Sequence, residues 1–134
     1  MGRRFLTVFL ALFISLLGVS CGQKEPKEVV EDFYHAICEG DVEETKKYLT
    51  LRTQQAMEAT MQLVGRKGLE DYIKEYSKQC KSYGGIKDIK VETRKVSDNK
   101  LEWNAVVVYK SGRRINDEGY LVKTDEGWKI DVKK

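Results

Sequence analysis

The chain has 134 residues with 24 Lys or Arg and 21 Asp or Glu, which gives a formal net charge of +3. Without residues 1–20, which include Arg3 and Arg4 and no acidic residue, 134 − 20 = 114 residues remain, with 22 basic and 21 acidic groups. This near-balance argues against a nucleic-acid-binding protein, for which a clustered basic face is expected. A length of 114 residues fits one domain.

Residues 1–20 have the three parts of an export signal. Arg3 and Arg4 give a positive start, Phe5–Leu17 is a mostly apolar segment, and Gly18–Ser20 supplies small residues before Cys21. The apolar segment is shorter than the roughly 20 residues that a membrane-spanning helix needs. We therefore expect a signal peptide over residues 1–20 that is cleaved before Cys21. The alternatives to the lipoprotein signal described next are an ordinary secretory signal, which is also cleaved, and a membrane-spanning anchor.

The residues before Cys21 resemble a bacterial lipobox. Val19 and Ser20 fit its pattern, whereas Gly18 stands where the pattern usually has leucine. The resemblance implies diacylation of the Cys21 sulfur, removal of residues 1–20 and anchoring to a membrane of the bacterial cell envelope. Two or more acyl chains give a stable anchor. Residues 21–25 would then form a short lipidated tether that keeps the domain, residues 26–134, close to the bilayer.

The first half of the domain has helical periodicity. Pro26 suits a first helical turn, and apolar residues recur at helical spacing up to Gly40, which predicts a helix over Pro26–Cys38. Asp41 followed by Glu44 resembles a capping box and predicts a short second helix. Thr53–Val64 should form a third helix. Leu69 begins the fourth helix, which should end before Gly84.

After Gly85 the apolar pattern changes to the alternation of β-strands. Strands are predicted around Ile89–Thr93, over Leu101–Tyr109, and around Tyr120–Lys123 and Trp128–Val132, with turn residues between them at hairpin spacing. Residues 101–109 are apolar on both faces, which predicts a central strand, whereas the last strand should have one solvated face. Helices followed by a strand meander indicate an α+β fold.

The order of these motifs resembles a known family. Val29-Val30-Glu31-Asp32-Phe33-Tyr34, then Glu39-Gly40-Asp41, Tyr48-Leu49 and a terminal Gly127-Trp128-Lys129-Ile130-Asp131 look like the small bacterial lipoproteins with a nuclear-transport-factor-2-like domain of unknown function. The resemblance implies a cone, in which N-terminal helices pack into a strongly curved antiparallel sheet. It also implies that the cone could bind small molecules, mediate protein contacts or hold isomerase or dehydratase chemistry.

Two cysteines remain in the domain besides Cys21. Cys38 ends the first predicted helix, and Cys80 lies on the apolar face of the fourth. Export implies an oxidising compartment, where a Cys38–Cys80 disulfide can form. The alternative is two unpaired cysteines that pack as small apolar residues. A metal site is not expected, because zinc sites use three or four protein ligands.

Aromatic residues offer a candidate cavity lining. Trp103, Tyr109 and Tyr120 from the strands and Tyr72 and Tyr76 from the fourth helix could face the interior of the cone, although aromatic residues at such spacing also fill ordinary cores. No catalytic residue is assigned. His35 is the only histidine, and it lies about 200° around the helix from Phe33, which predicts an exposed side chain.

The sequence therefore predicts a membrane-anchored lipoprotein that acts by binding or interaction, without catalysis and without a cofactor. The first alternative is a small-molecule carrier or sensor that uses the cone, and the second is an isomerase or lyase. The expected partners are the membrane, through the lipid anchor, and an unknown protein or small-molecule ligand. A homodimer through the sheet face is a further possibility.

Overall fold

The computed structural model describes residues 24–132. The predicted signal peptide, Cys21 and most of the tether lie outside the described residues. Within the described part, four helices precede four strands in the order α1-α2-α3-α4-β1-β2-β3-β4. The structure confirms the predicted α+β fold, in which helices come first and a strand meander follows.

The four helices begin and end close to the predicted positions. Their bounds are α1 Pro26–Glu39, α2 Val42–Lys47, α3 Leu51–Leu63 and α4 Leu69–Ser82. Gly40 ends α1 in the left-handed conformation, with φ 77°, and the Asp41 side chain accepts a hydrogen bond from the backbone N–H of Glu44 at the start of α2. Helix α3 starts two residues before the predicted Thr53 because the Thr50 side chain caps it, accepting from the backbone N–H of Thr53.

The strands form one antiparallel sheet in the order β1-β2-β3-β4. Their bounds are β1 Ile86–Ser97, β2 Lys100–Tyr109, β3 Arg114–Thr124 and β4 Gly127–Asp131. Strand β2 pairs with β1 on one side and β3 on the other, so the expectation that residues 101–109 form an interior strand is confirmed. The sheet is curved, and the helices pack on one of its faces.

The core lies between that inner face of the sheet and the helices. Trp103, Ala105, Val107 and Tyr109 of β2 alternate toward the helices and are almost fully buried. The helical side of the core comes mainly from α1, with Val30 and Ile37, and from α4, with Ile73. Burial of this continuous apolar surface supplies the main stabilisation of the fold.

The expectation of a solvated face on the last strand is wrong at Asp131. This residue alternates with Ile130, yet only 6% of its surface is exposed. The beginning of α3 covers it: Thr50 donates to its carboxylate at 2.7 Å, and the Arg52 guanidinium forms an ion pair with it. A buried carboxylate is tolerated there because it is paired and hydrogen-bonded.

Candidate functional site

An open pocket lies between the helices and the inner face of the sheet. Its volume is about 290 Å³. Helices α1, α3 and α4 and strands β2, β3 and β4 all contribute to it, the lining being Phe33, Tyr34, Ile37, Thr53, Met57, Tyr72, Tyr76, Trp103, Asp117, Glu118, Gly119, Ile130, Asp131 and Val132. We call it the aromatic pocket, since five of these side chains are aromatic.

Tyr34 and Asp117 form the main polar contact of the aromatic pocket. The Tyr34 hydroxyl donates to the Asp117 carboxylate at 2.6 Å. Tyr34 is 1% exposed, whereas Asp117 is exposed at the mouth. Burial, followed by the negative charge of Asp117 and this hydrogen bond, raises the pKa of Tyr34 far above its ordinary value. Tyr34 therefore stays protonated and holds the carboxylate in place.

The register of the sheet explains why Asp117 faces the helices. Ala105 pairs with Asp117 and Trp103 pairs with Gly119, so these four positions share the inner face. The absence of a side chain at Gly119 leaves room for the Trp103 indole: a Cβ added there would lie 3.0 Å from the ring. The indole N–H donates to the backbone carbonyl of Tyr120 at 3.2 Å.

The aromatic rings surround Tyr34. Its ring lies edge-on to that of Trp103, with centroids 6.3 Å apart and planes at 81°, and 6.5 Å from the ring of Tyr76. Burial and the charge of Asp117 raise the pKa of Tyr72. Burial, the neighbouring Tyr109 hydroxyl and Asp117 likewise raise the pKa of Tyr76. All three tyrosines are neutral at physiological pH and lie within the field of one carboxylate.

The Tyr76 hydroxyl is buried without a partner. Within residues 24–132 no group meets hydrogen-bond geometry with it, although it lies close enough to Tyr109 for that ring to affect its pKa. A buried hydroxyl without a partner is unusual and costs free energy. This atom is the one unsatisfied side-chain polar group found among the described residues.

Charges in the lining are all negative. The acidic residues of the lining are Asp117, Glu118 and Asp131, and the lining contains no Lys, Arg or His. Arg52 compensates Asp131: although burial acts to raise the pKa of Asp131, hydrogen bonds from Arg52 and Thr50 outweigh it, and the pKa is lowered. Asp117 forms no salt bridge with any described residue. Its charge is therefore not neutralised by the protein around it.

Three of the five residues proposed from the sequence as cavity lining meet in the aromatic pocket. Tyr72 and Tyr76 contribute from α4, and Trp103 contributes from β2. Tyr109 is on the inner face but fills the core, 1% exposed and with its ring 5.1 Å from that of Tyr83. It does not line the aromatic pocket.

Tyr120 is placed wrongly by the sequence prediction. It lies on the outer face of β3, between the inward positions Gly119 and Leu121, and pairs with Glu102. The Lys100 ammonium lies 4.0 Å from the centre of its ring. Because side chains alternate along a strand, a shift of one residue in the assumed phase moves a residue to the other face.

A larger groove of about 550 Å³ lies between α2, α3 and the start of α4. Its lining is mainly charged and amide side chains, among them Glu43, Gln54 and Glu58, and it contains no aromatic residue. Its apolar residues, Val42, Leu51 and Leu69, are all aliphatic, so the groove lacks the aromatic lining common in ligand sites and its volume alone does not make it the better site. In the described part of the chain no three His, Cys, Asp or Glu side chains are placed to hold a metal ion.

Comparison with known proteins identifies the family. The model of the family described as a domain of unknown function, DUF4878, matches residues 19–131. The chain belongs to this family. The curated proteins contain no match to it.

A solved structure resembles the DUF4878 domain in fold. A Campylobacter jejuni protein, whose name assigns it provisionally as an NTF2-like transpeptidase, is 19% identical with a TM-score of 0.64, over 82% of this chain and 100% of that chain. This likeness shows an NTF2-like fold and nothing about activity. A de novo designed protein with a curved β-sheet is 15% identical, with a TM-score of 0.41 over 80% of this chain and 95% of that one.

The two cysteines of this DUF4878 domain that lie within residues 24–132 are at the junction of α1 and α4. Cys38 and Cys80 are joined by a disulfide, with Cα atoms 5.5 Å apart. Beside it the Ser77 hydroxyl donates to the Cys38 carbonyl at 2.8 Å. The bond fixes the helix that carries Tyr34 to the helix that carries Tyr72 and Tyr76. His35 is exposed, as predicted, and does not line the aromatic pocket.

Tyr34 and Asp117 are site residues that the sequence prediction did not include. Helical spacing from Val30 and Ile37 places Tyr34 on the buried face of α1, so that signal was present in the sequence. Side chains alternate between the two faces of a strand, so counting back in steps of two from Leu121 would have placed Asp117 on the inner face of the sheet. Their contact, across 83 positions, depends on how α1 packs against the sheet, which sequence periodicity does not give.

Proposed function

We propose that this chain is a lipoprotein of the bacterial cell envelope, anchored through Cys21, whose domain binds a small molecule in the aromatic pocket without transforming it. The aromatic pocket is the observation that carries the binding role. It is concave, its lining of fourteen residues includes five aromatic side chains, and it carries a few polar groups, which is the usual composition of a small-molecule site. Its volume of about 290 Å³ suits a small ligand.

The outer face of the sheet favours a small ligand over a protein partner. Charged residues occupy much of that face, including Lys90, Glu92, Arg94, Arg114 and Glu118, and the apolar Val106 and Val108 between them are half-buried. A protein-binding face would present a contiguous exposed apolar area.

The anchoring part of the proposal is supported by the sequence before Cys21. In residues 24–132 no helix is long and apolar enough to cross a membrane. Mass spectrometry of the N-terminal peptide from purified membranes tests the anchor. We expect a chain that begins at an acylated Cys21 and a Cys21→Ala variant that leaves the membrane fraction. An intact segment 1–20 or an unmodified Cys21 would refute anchoring.

Binding is tested with a variant that fills the aromatic pocket. Met57 lines the pocket from α3, whereas Ala59 is exposed on the same helix and lines no part of it. A ligand-observed NMR screen of small fragments should detect binders of the wild-type domain that Met57→Trp loses and Ala59→Trp keeps. Fragments that bind all three proteins equally, or no binders at all, would contradict the proposal. Circular dichroism verifies that both variants are folded.

The Tyr34 and Asp117 pair favours a second candidate, an isomerase or lyase. A carboxylate facing a cavity can abstract a proton from a bound carbonyl compound. The test uses a carbonyl fragment that binds the domain, in heavy water, and NMR to monitor the exchange of its hydrogen for deuterium. Catalysis requires that the wild type exchange this hydrogen and that Asp117→Asn abolish the exchange. The activity in the name of the Campylobacter jejuni protein has less support here, because the lining contains no Ser, Cys, Lys or His.

A further inference from the structure

We propose that the ligand of the aromatic pocket is a small organic cation of the ammonium type, bound by the Asp117 carboxylate and the surrounding aromatic rings. This inference rests on the proposed binding function and adds a ligand class to it. It follows from three properties of the described residues: a carboxylate without a salt-bridge partner, aromatic rings that line the same space, and a small pocket volume.

The first of these properties is the negative charge of Asp117. Asp117 is held at the mouth by Tyr34 and accepts a second hydrogen bond from the backbone N–H of Glu118 at 3.1 Å. Both bonds come from neutral donors, and a carboxylate offers about four acceptor positions. No basic side chain lines the aromatic pocket, and the nearby Arg52 is already paired with Asp131. A cation at the mouth would supply the missing counter-charge.

The aromatic faces add a second attraction. The face of an aromatic ring attracts a cation that lies within about 6 Å of its centre. Trp103 and Tyr34 are fixed by core packing, and Tyr72 and Tyr76 are half-buried on α4. All four line the same space as the carboxylate. Alkylated ammonium groups use both features, because their apolar surface packs on the rings while their charge faces the carboxylate.

The volume of the aromatic pocket and the number of oxygen ligands that metal ions need narrow the chemical class of the bound molecule further. A volume of about 290 Å³ lies just below the usual range for ligand sites, roughly 300–1,000 Å³, which favours a molecule of a few carbon atoms. A hard metal ion is disfavoured, because calcium and magnesium need several oxygen ligands. The described residues place no such group of carboxylates together.

Choline and its neutral isostere, in which a tert-butyl group replaces the trimethylammonium group, are the probes. Isothermal titration should show that the wild-type domain binds choline and binds the isostere at least about tenfold more weakly. Asp117→Asn keeps an acceptor for the Tyr34 hydroxyl but removes the charge. It should weaken choline binding by about tenfold or more and leave the isostere unaffected. Asp125→Asn, which removes a carboxylate from the exposed β3–β4 turn, is the matched control and should bind like the wild type.

The following results would overturn the inference. Equal affinity for choline and the isostere, or unchanged choline affinity in Asp117→Asn, excludes recognition of the positive charge. Absence of binding by choline and by a primary-amine probe excludes the ammonium class. In these cases the fragment screen with Met57→Trp still decides whether the aromatic pocket binds neutral molecules, so the proposed function and this inference fail separately.

Discussion

The Tyr34 hydroxyl and the Asp117 carboxylate, 83 positions apart in sequence, meet at 2.6 Å at the mouth of the aromatic pocket. The contact connects the first helix to the third strand and fixes the orientation of an exposed acidic side chain. A surface carboxylate would otherwise sample several rotamers. Here it is held toward five aromatic side chains. The binding role that we propose depends on this arrangement.

Tyr34→Phe should lower the free energy of unfolding by about 1 kcal/mol, because it removes one hydrogen bond while water can still solvate the exposed carboxylate. Urea denaturation measures the change. Tyr72→Phe is the control, since the Tyr72 hydroxyl makes no hydrogen bond to another described residue, and its effect should be smaller. Equal effects of the two substitutions would show that the Tyr34 contact adds no stability.

Stability should fall in alkaline solution. Burial raises the pKa of Tyr34 and of Tyr76 above the ordinary value of 10.0. A tyrosine whose pKa is higher in the folded state contributes its full stabilisation below pH 10.0 and loses it as the pH rises further, because the unfolded chain ionises first. Urea denaturation at a series of pH values should show a decline beginning near pH 10. The decline should be smaller in Tyr34→Phe, and an identical profile would contradict the prediction.

Asp131→Asn should lower the free energy of unfolding by about 1–3 kcal/mol at neutral pH, because the hydrogen bonds from Thr50 and Arg52 lose a charged acceptor. The pKa of Asp131 is below its ordinary 3.8 in the folded state, so its contribution is present above pH 3.8 and is lost as the pH falls through the folded pKa. The difference from wild type should therefore shrink in acid. A constant difference from pH 7 to pH 2 would exclude this origin.

Sequence periodicity predicted most of the elements and much of the site. It placed Trp103 and Tyr109 on one face of β2, because every second residue there is apolar. It misplaced Tyr120, because Tyr120, Leu121 and Val122 are all apolar or aromatic and do not define which face is buried. Asp131 was assigned to a solvated face for a related reason: its cover comes from α3, far away in the sequence.

Replacing Cys38 and Cys80 with alanine should reduce the free energy of unfolding by about 2–4 kcal/mol. The bond closes a loop with a sequence separation of 42, and opening it raises the entropy of the unfolded chain. Chemical denaturation with and without reductant measures the effect in the wild type, and the double variant should not respond to reductant. Alkylation of the unreduced, denatured protein should leave both cysteines unmodified; modification of both would show that no bond had formed.

Native mass spectrometry of the protein extracted from its own envelope would detect a ligand bound in the aromatic pocket. We expect a small molecule that accompanies the acylated wild-type chain, is absent from Met57→Trp and is retained by Ala59→Trp. A small molecule retained equally by Met57→Trp would place binding outside the aromatic pocket. A wild-type chain that carries only its acyl groups would contradict the proposed carriage of a ligand.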